Sequence, residues 1–199
     1  MKNLLAISAL YDGFQAMVGT KEIRNYFVSN YVKPKPGEKL LDLGCGTGGL
    51  LNHLPELNYL GYDPSEKYIK SAKAAYENHM NISFSSGDLH EFAFNEDSFD
   101  KVVLLGVLHH VDDDVANTLL SIGHLALKKG GFLISMDMCE RAGINMFAKW
   151  MNRFDRGNFI RTEKQYKYLL SNHFTNIDEY NYCGRGRVPL SHYVLKCMK

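Results

Sequence analysis

"KLLDLGCGTGGLL", Lys39 to Leu51, sets four glycines into six residues directly after an apolar run. The run reads as a short buried strand. Glycine at its end frees the backbone to turn sharply or to approach a ligand closely. Three readings fit the stretch alone: a phosphate-binding turn, a nucleoside-binding turn of another kind, and a tight corner with no ligand. Gly44, Gly46 and Gly49 match the spacing G-x-G-x-x-G, but Gly48 also makes G-x-G-x-G, so spacing does not choose among them.

The surroundings narrow the choice. "KPKPGE", Lys33 to Glu38, is a linker, because its prolines forbid helix and its glycine turns the chain. Residues 1–32 read as two helical pieces divided near Gly19 and Thr20; in the second, Ile23, Tyr26, Phe27, Asn30 and Tyr31 recur at helical spacing. After the glycines a helix is expected through about Leu54. Asn58–Tyr62 reads as a second strand, and Ser65 caps a helix running to about Asn78. Ile82–Ser85 and Asp100–Leu105 are a third and a fourth strand, the latter apolar enough to be buried on both faces. Asp112–Asp114 open a helix that reaches Leu127, "KKGG" stops it, and Phe132–Met136 is a fifth strand. From Cys139 to about Arg161 the pattern loosens around Met146, Phe147, Trp150, Met151, Phe154 and Phe159. Thr162–Asn172 is a helix, and Asn176–Cys183 and His192–Met198 alternate like paired strands. Strands alternating with helices imply parallel pairing through right-handed crossovers. The fold class is therefore α/β, an open, doubly wound and mostly parallel sheet. A helical segment of residues 1–36 precedes a main domain of residues 37–199 in one compact body.

The length of 199 residues suits one domain with a sizeable core, and the formal net charge of +1 points to neither nucleic acid nor a membrane surface. No stretch is long and apolar enough to span a bilayer. "MKNLLAISAL" has the outline of a stunted signal peptide but runs into Tyr11-Asp12-Gly13 without a clear cleavage site, so it reads as a helix with an apolar face. Cys45, Cys139, Cys183 and Cys197 lack CxxC spacing and read as reduced, mostly buried thiols of a cytoplasmic protein. No metal-ligand set stands out.

In such a sheet, ligands bind beyond the carboxyl ends of the strands. Asp42 stands just ahead of the glycines, and Asp63 ends the second strand, where a carboxylate accepts from both hydroxyls of a ribose. A ribose 2′-phosphate would be repelled there. A nucleoside ligand follows.

Five segments in order then resemble one family, the class I S-adenosylmethionine-dependent methyltransferases. They are "LLDLGCGTGGL", "GYDPSEKYI", "SGDLHEF", "FDKVVLLGVLHHVDD" and "ALKKGGFLI". The resemblance runs from about Tyr11 to the C-terminus and is densest between Leu40 and Gly131. It implies a seven-stranded sheet whose antiparallel last strand lies between strands five and six. It implies S-adenosylmethionine as cofactor, held by Asp42, Gly44, Cys45, Gly46, Asp63, Pro64, Gly87, Asp88, Leu89, Leu105 and Gly106. Asp63 would take the ribose and Asp88 the adenine amino group, while Leu89 packs on the ring and the backbone of Leu105 and Gly106 lines the methionine part. Tyr11, with Phe14 and Gln15, is a candidate lid, against the alternative of a helix packed on the sheet edge. The glycine turn lets main chain approach the donor, and amides at a following helix start suit its carboxylate.

The implied reaction is in-line methyl transfer to a small-molecule oxygen, nitrogen or carbon nucleophile. Candidate bases are His109 and His110, just beyond the fourth strand; imidazole titrates near neutrality. The competing role is scaffold or cofactor-pocket wall, the expected one for His110. A metal beside them and Asp112–Asp114 is the weaker reading, since the acids suit a helix start. Of seven arginines, all but Arg24 lie after residue 140. Arginine suits two-pronged gripping of carboxylate or phosphate. An anionic acceptor is therefore expected at some of Arg153, Arg156, Arg161, Arg185 and Arg187, with solvated arginines paired to local acids as the alternative. His192 is a candidate pocket wall. Two other classes stay open: a non-catalytic donor-binding scaffold or regulatory subunit, and a short nicotinamide-dependent oxidoreductase, for which no Tyr-x-x-x-Lys pairing is suitably placed.

Overall fold

The computed structural model describes residues 20–140, 158–183 and 191–199. Helix α1 (Thr20–Phe27) passes into a wider helical turn (Val28–Val32) that ends where Lys33 turns left-handed (φ 45°). Strands β1 (Lys39–Leu43), β2 (Asn58–Tyr62), β3 (Ile82–Ser85), β4 (Phe99–Leu105) and β5 (Leu127–Glu140) follow. Helix α2 (Glu66–Ala75) connects β2 to β3, and α3 (Asp113–Ala126) connects β4 to β5. A two-residue strand β6 (Arg161–Thr162), helix α4 (Glu163–Ser171), β7 (Asn176–Cys183) and β8 (Ser191–Met198) close the described chain.

The sheet runs β3-β2-β1-β4-β5-β8-β7, with β6 pairing the end of β5 off that path. β1 to β5 are parallel neighbours, and β8 is antiparallel to both β5 and β7. This is the expected doubly wound sheet with its last strand inserted. The order reverses at β1 and β4, so the carboxyl ends of these strands border a crevice where ligands collect.

Each sheet face carries its own core. One face buries Leu40, Tyr59, Val103, Ile134 and Val194 against Phe27, Val28 and Val32 of the N-terminal helical segment and Ile69 and Ala72 of α2. Tyr26 and Tyr31 pack on the rings of Tyr182 and Tyr180 of β7. The second helical piece thus lies against the sheet. The other face buries Leu41, Leu43, Leu104, Leu133 and Leu195 against Leu119 and Leu120 of α3 and Tyr166, Leu169 and Leu170 of α4. Ser65 caps α2, Asp112 caps α3, and Thr162 with Gln165 forms a capping box on α4.

Two expectations change. The glycine turn does not open an α-helix; it runs through turns into a single 3-10 segment at Leu51–His53. Gly48 is left-handed (φ 79°), and the bonds are of the tighter i to i+3 kind, from Gly48 N to Cys45 O and from Leu51 N to Gly48 O. The fifth strand is longer than Phe132–Met136: its start pairs Leu127 with Phe99, and its end pairs Cys139 and Glu140 with β6. That extension follows from a partner, β6, that no local pattern announces.

Candidate active site

The glycine turn is tied to the end of β2. The amides of Gly44 and Cys45 both donate to the Tyr62 carbonyl, at 2.7 and 3.0 Å. Gly44 is left-handed (φ 84°), and a Cβ there would lie 2.4 Å from Val107 Cγ2 of the segment after β4. This turn therefore needs glycine for both conformation and close approach. Gly46 differs: a Cβ added to it meets no protein atom within 4 Å, and the same holds for Gly87. Backbone conformation (φ 56° at Gly46, 117° at Gly87), and not packing, favours glycine at both places.

Asp63 is held twice. Its Oδ2 accepts from the Gly46 amide at 3.0 Å and its Oδ1 from the Ser65 amide at 2.9 Å. Each carboxylate oxygen has two acceptor sites, so both retain one for a diol. Pro64 beside it is exposed. Asp88 caps the short helical turn Leu89–Glu91, with Oδ1 accepting from His90 N at 2.8 Å. Tyr62 fixes the preceding bend by donating its hydroxyl to Gly87 O at 2.8 Å, and Leu89 packs on the core. Leu105 ends β4, and Gly106 (φ 70°) donates to Met136 O at 2.8 Å. These residues share the carboxyl edge of the sheet.

Two members of the expected set face inward. Asp42 is 3% exposed and accepts from the Tyr59 hydroxyl at 2.6 Å. Burial pushes its carboxyl up to about 7, against the opposing pull of the Tyr59 hydrogen bond and the Arg24 charge. Cys45 packs its sulfur against Gly61, and burial pushes its thiol up. A side chain so placed supports the turn from below, and the Cys45 amide and carbonyl bond to Tyr62 O and Gly48 N within the turn.

Arg24 was absent from the expected set. Its guanidinium lies over the turn, Nη1 being 3.0 Å from the position of a Cβ on Gly49. The signal was available: Arg24, Phe27 and Val28 stand at i, i+3 and i+4, one helix face, and the latter two are buried.

His109 is 3% exposed and His110 is exposed, with ring centroids 4.0 Å apart. Asp137 Oδ1 accepts from the His109 backbone amide at 3.2 Å and sits 2.8 Å from its Nδ1. A Cβ on Gly106 would lie 3.7 Å from His109 Cε1, so the ring borders the proposed methionine wall. Asp137 also escaped the sequence reading, though an acid ending the apolar stretch "FLISMDM" marks it.

Arg161 is a correction. It is 7% exposed, and its guanidinium is bonded to Asp113 Oδ1 and to the carbonyls of Leu108, Val111 and Phe159. Five N–H donors meet five protein contacts, leaving none to grip an acceptor. Of the other expected residues, Tyr11, Phe14, Gln15, Arg153, Arg156, Arg185 and Arg187 lie outside the described residues. Cys139 and Cys197 are buried, as is Cys45. His192 lies on β8 opposite Met138, its ring 5.9 Å from Tyr182. Among the described residues no helix is long and apolar enough to cross a membrane.

The strand order is that of the class I methyltransferase fold, and Gly46, Asp63, Asp88 and Gly106 lie along its carboxyl edge. A family model described as a methyltransferase domain matches residues 40–131. An uncharacterized methyltransferase of Schizosaccharomyces pombe is 30% identical over 126 residues, covering 57% of this chain and 44% of that protein. A ubiquinone biosynthesis O-methyltransferase of Bradyrhizobium diazoefficiens is 28% identical over 149 residues, covering 68% of this chain and 58% of its own. The chain thus spans less than two thirds of either relative. Phosphoethanolamine N-methyltransferase 2 of Haemonchus contortus, solved with phosphomonomethylethanolamine and S-adenosylhomocysteine, superposes with a TM-score of 0.72 at 17% identity, over 88% of this chain and 52% of that one. The chain is similar to methyltransferases over residues 40–131 and shares their fold.

Proposed function

We propose that this protein transfers a methyl group from S-adenosylmethionine to a small acceptor. The observation that carries the reading is Asp63, a carboxylate fixed at the end of β2 by the amides of Gly46 and Ser65. Both of its oxygens keep a site for a ribose hydroxyl. Gly46 (φ 56°) and Gly87 (φ 117°) take backbone conformations that favour glycine, and no protein atom fills the place a side chain would occupy at either. The donor, when bound, supplies a methyl group already activated by a positive sulfur. The chain's work is to bind, align and exclude water, for which alignment alone is worth ~7–11 kcal/mol.

In this reading Asp63 holds the ribose, Asp88 the adenine amino group, and Leu89 the adenine face. Gly106 and Leu105 line the methionine portion. Arg24 supplies the positive charge for the donor's carboxylate, a task a helix start does not perform here because the turn leads into no α-helix. The acceptor is anionic, gripped by some of Arg153, Arg156, Arg185 and Arg187; the concentration of arginine after residue 140 supports this.

Calorimetry with S-adenosylhomocysteine tests the donor site. Saturable binding at micromolar to millimolar concentration is expected, and no binding by folded protein at millimolar concentration refutes the reading. Radiolabelled methyl transfer to phosphorylated amino alcohols and phenolic carboxylates then tests the acceptor class. Arg156→Lys and Arg185→Lys are expected to raise the acceptor KM; no change in either removes the anionic-acceptor proposal.

A further inference from the structure

We infer that Tyr62 is a positioning residue for the donor's nucleobase: its hydroxyl holds the Gly87–Asp88 peptide so that Asp88 selects adenine over a base with oxygen in place of the amino group. This rests on the methyl-transfer reading above.

Tyr62 is the last residue of β2, and it is buried. Its two ends grip two different turns. The carbonyl takes the amides of Gly44 and Cys45, which uses both of its acceptor sites. The ring lies on Phe92, with centroids 4.6 Å apart, and Phe92 stacks on Phe94. The hydroxyl then reaches Gly87 O at 2.8 Å. Asp63, the next residue, donates its amide to Ser85 O at 3.2 Å, so the end of β2 is tied to the end of β3 as well. Burial, with the charges of Asp88 and Asp63, pushes the phenol's pKa up, which puts the hydroxyl within electrostatic reach of both carboxylates. One residue thus links the glycine turn, the acid at the end of β2 and the turn that carries Asp88.

Gly87, at φ 117°, has no Cβ to oppose rotation, so the peptide that follows it turns over at little cost unless something holds it. The Tyr62 hydroxyl removes that freedom. A peptide unit is planar, so fixing the Gly87 carbonyl also fixes the direction of the Asp88 amide and the point from which the Asp88 side chain starts. Asp88 is exposed, and its Oδ1 already accepts from His90 N. An ionised carboxylate only accepts. Adenine offers it a donating amino group. Hypoxanthine, with oxygen at that position, offers a second acceptor, and the two repel. How sharply the site separates the two bases depends on how firmly Asp88 is held, because a loose carboxylate draws back from the oxygen and loses the repulsion. Tyr62→Phe keeps the ring on Phe92 and deletes only the oxygen atom.

The test is calorimetry on the full chain with S-adenosylhomocysteine and with S-inosylhomocysteine, its analogue carrying oxygen in place of the amino group. Wild type, Tyr62→Phe, Asp88→Asn and the double variant are compared. Wild type is expected to prefer the adenosyl compound by about tenfold or more. Tyr62→Phe is expected to compress that ratio by about fivefold, the effect of one hydrogen bond. Asp88→Asn is expected to lose most of the preference, and adding Tyr62→Phe to it to change the ratio by less than about twofold. Equal affinities in wild type overturn the proposal without any variant having to fold. So does an unchanged ratio in Tyr62→Phe, including a loss of equal size for both compounds, which is what a hydroxyl that only stabilises the fold would cause. A further step of similar size on top of Asp88→Asn overturns it too, since the hydroxyl would then act by another route. The ligand-free protein gives an independent reading by amide NMR. The Gly87 and Asp88 signals are expected to be sharp in wild type and broadened or doubled in Tyr62→Phe, and unchanged signals overturn the proposal. Failure of wild type to bind either compound overturns the methyl-transfer reading and the nucleobase role with it; binding without base preference overturns the nucleobase role alone.

Discussion

Asp63 and Asp42 are both carboxylates beside one glycine turn, and their surroundings give them opposite tasks. Asp63 stays partly exposed with two amide donors, so it is a held acceptor. Asp63→Ala is expected to weaken S-adenosylhomocysteine binding by roughly 1.5–3 kcal/mol, the worth of charge-assisted hydrogen bonds, with the domain still folded. Calorimetry beside circular dichroism checks it. Asp42 is buried with a carboxyl pushed from 3.8 to about 7. Its folded-state value lies above the unfolded one, so the native state holds the proton more tightly. The stability this brings is full below about pH 4 and is lost as pH rises through about 7. Thermal melts should therefore fall between pH 5 and 8 in wild type. Asp42→Asn, which keeps an acceptor for Tyr59, should flatten that slope; a parallel slope would show that another group carries it.

At the scale of elements, the caps and braces matter most. Thr162 accepts from Gln165 N at 3.3 Å while Gln165 Oε1 accepts from Thr162 N at 2.9 Å, closing the start of α4 just after Arg161. Thr162→Ala is expected to cost about 1 kcal/mol of stability, read as a lower urea midpoint at unchanged slope. Donor affinity should not move, since α4 packs on the face away from the glycine turn. The helix expected after the glycines failed for a local reason. Left-handed Gly48 and the proline at 55 leave too few residues for an α-helix, and the chain settles for i to i+3 bonds.

For the whole molecule, the proposed donor site links binding to folding, because it needs β1, β2, β4 and the turns between them all in place. S-adenosylhomocysteine at about a hundredfold over its Kd should add ~2.7 kcal/mol and raise Tm by roughly 5–10 °C. Absence of a shift at that ratio would mean that the unfolded chain binds as well, or that the site is not built from these strands.

The strands and their order of appearance could be read from the chain because each is written locally. Apolar runs of strand length, helix-spaced faces, the glycines after Leu43 and an acid at the end of β2 all lie within a few residues of the feature they specify. Partner choice over long separations is not written that way. Arg161 reads as a gripping residue until β6 is laid beside β5 and brings it to carbonyls 50 and 53 residues away. Asp137 and His109, 28 residues apart, meet only because β4 and β5 are neighbours in the sheet. Sequence alone settled which residues form the layers, since hydrophobic period and turn chemistry act at short range. The tertiary structure alone settled which polar groups satisfy one another, because burial leaves a donor no partner but the acceptors that packing brings within 3 Å.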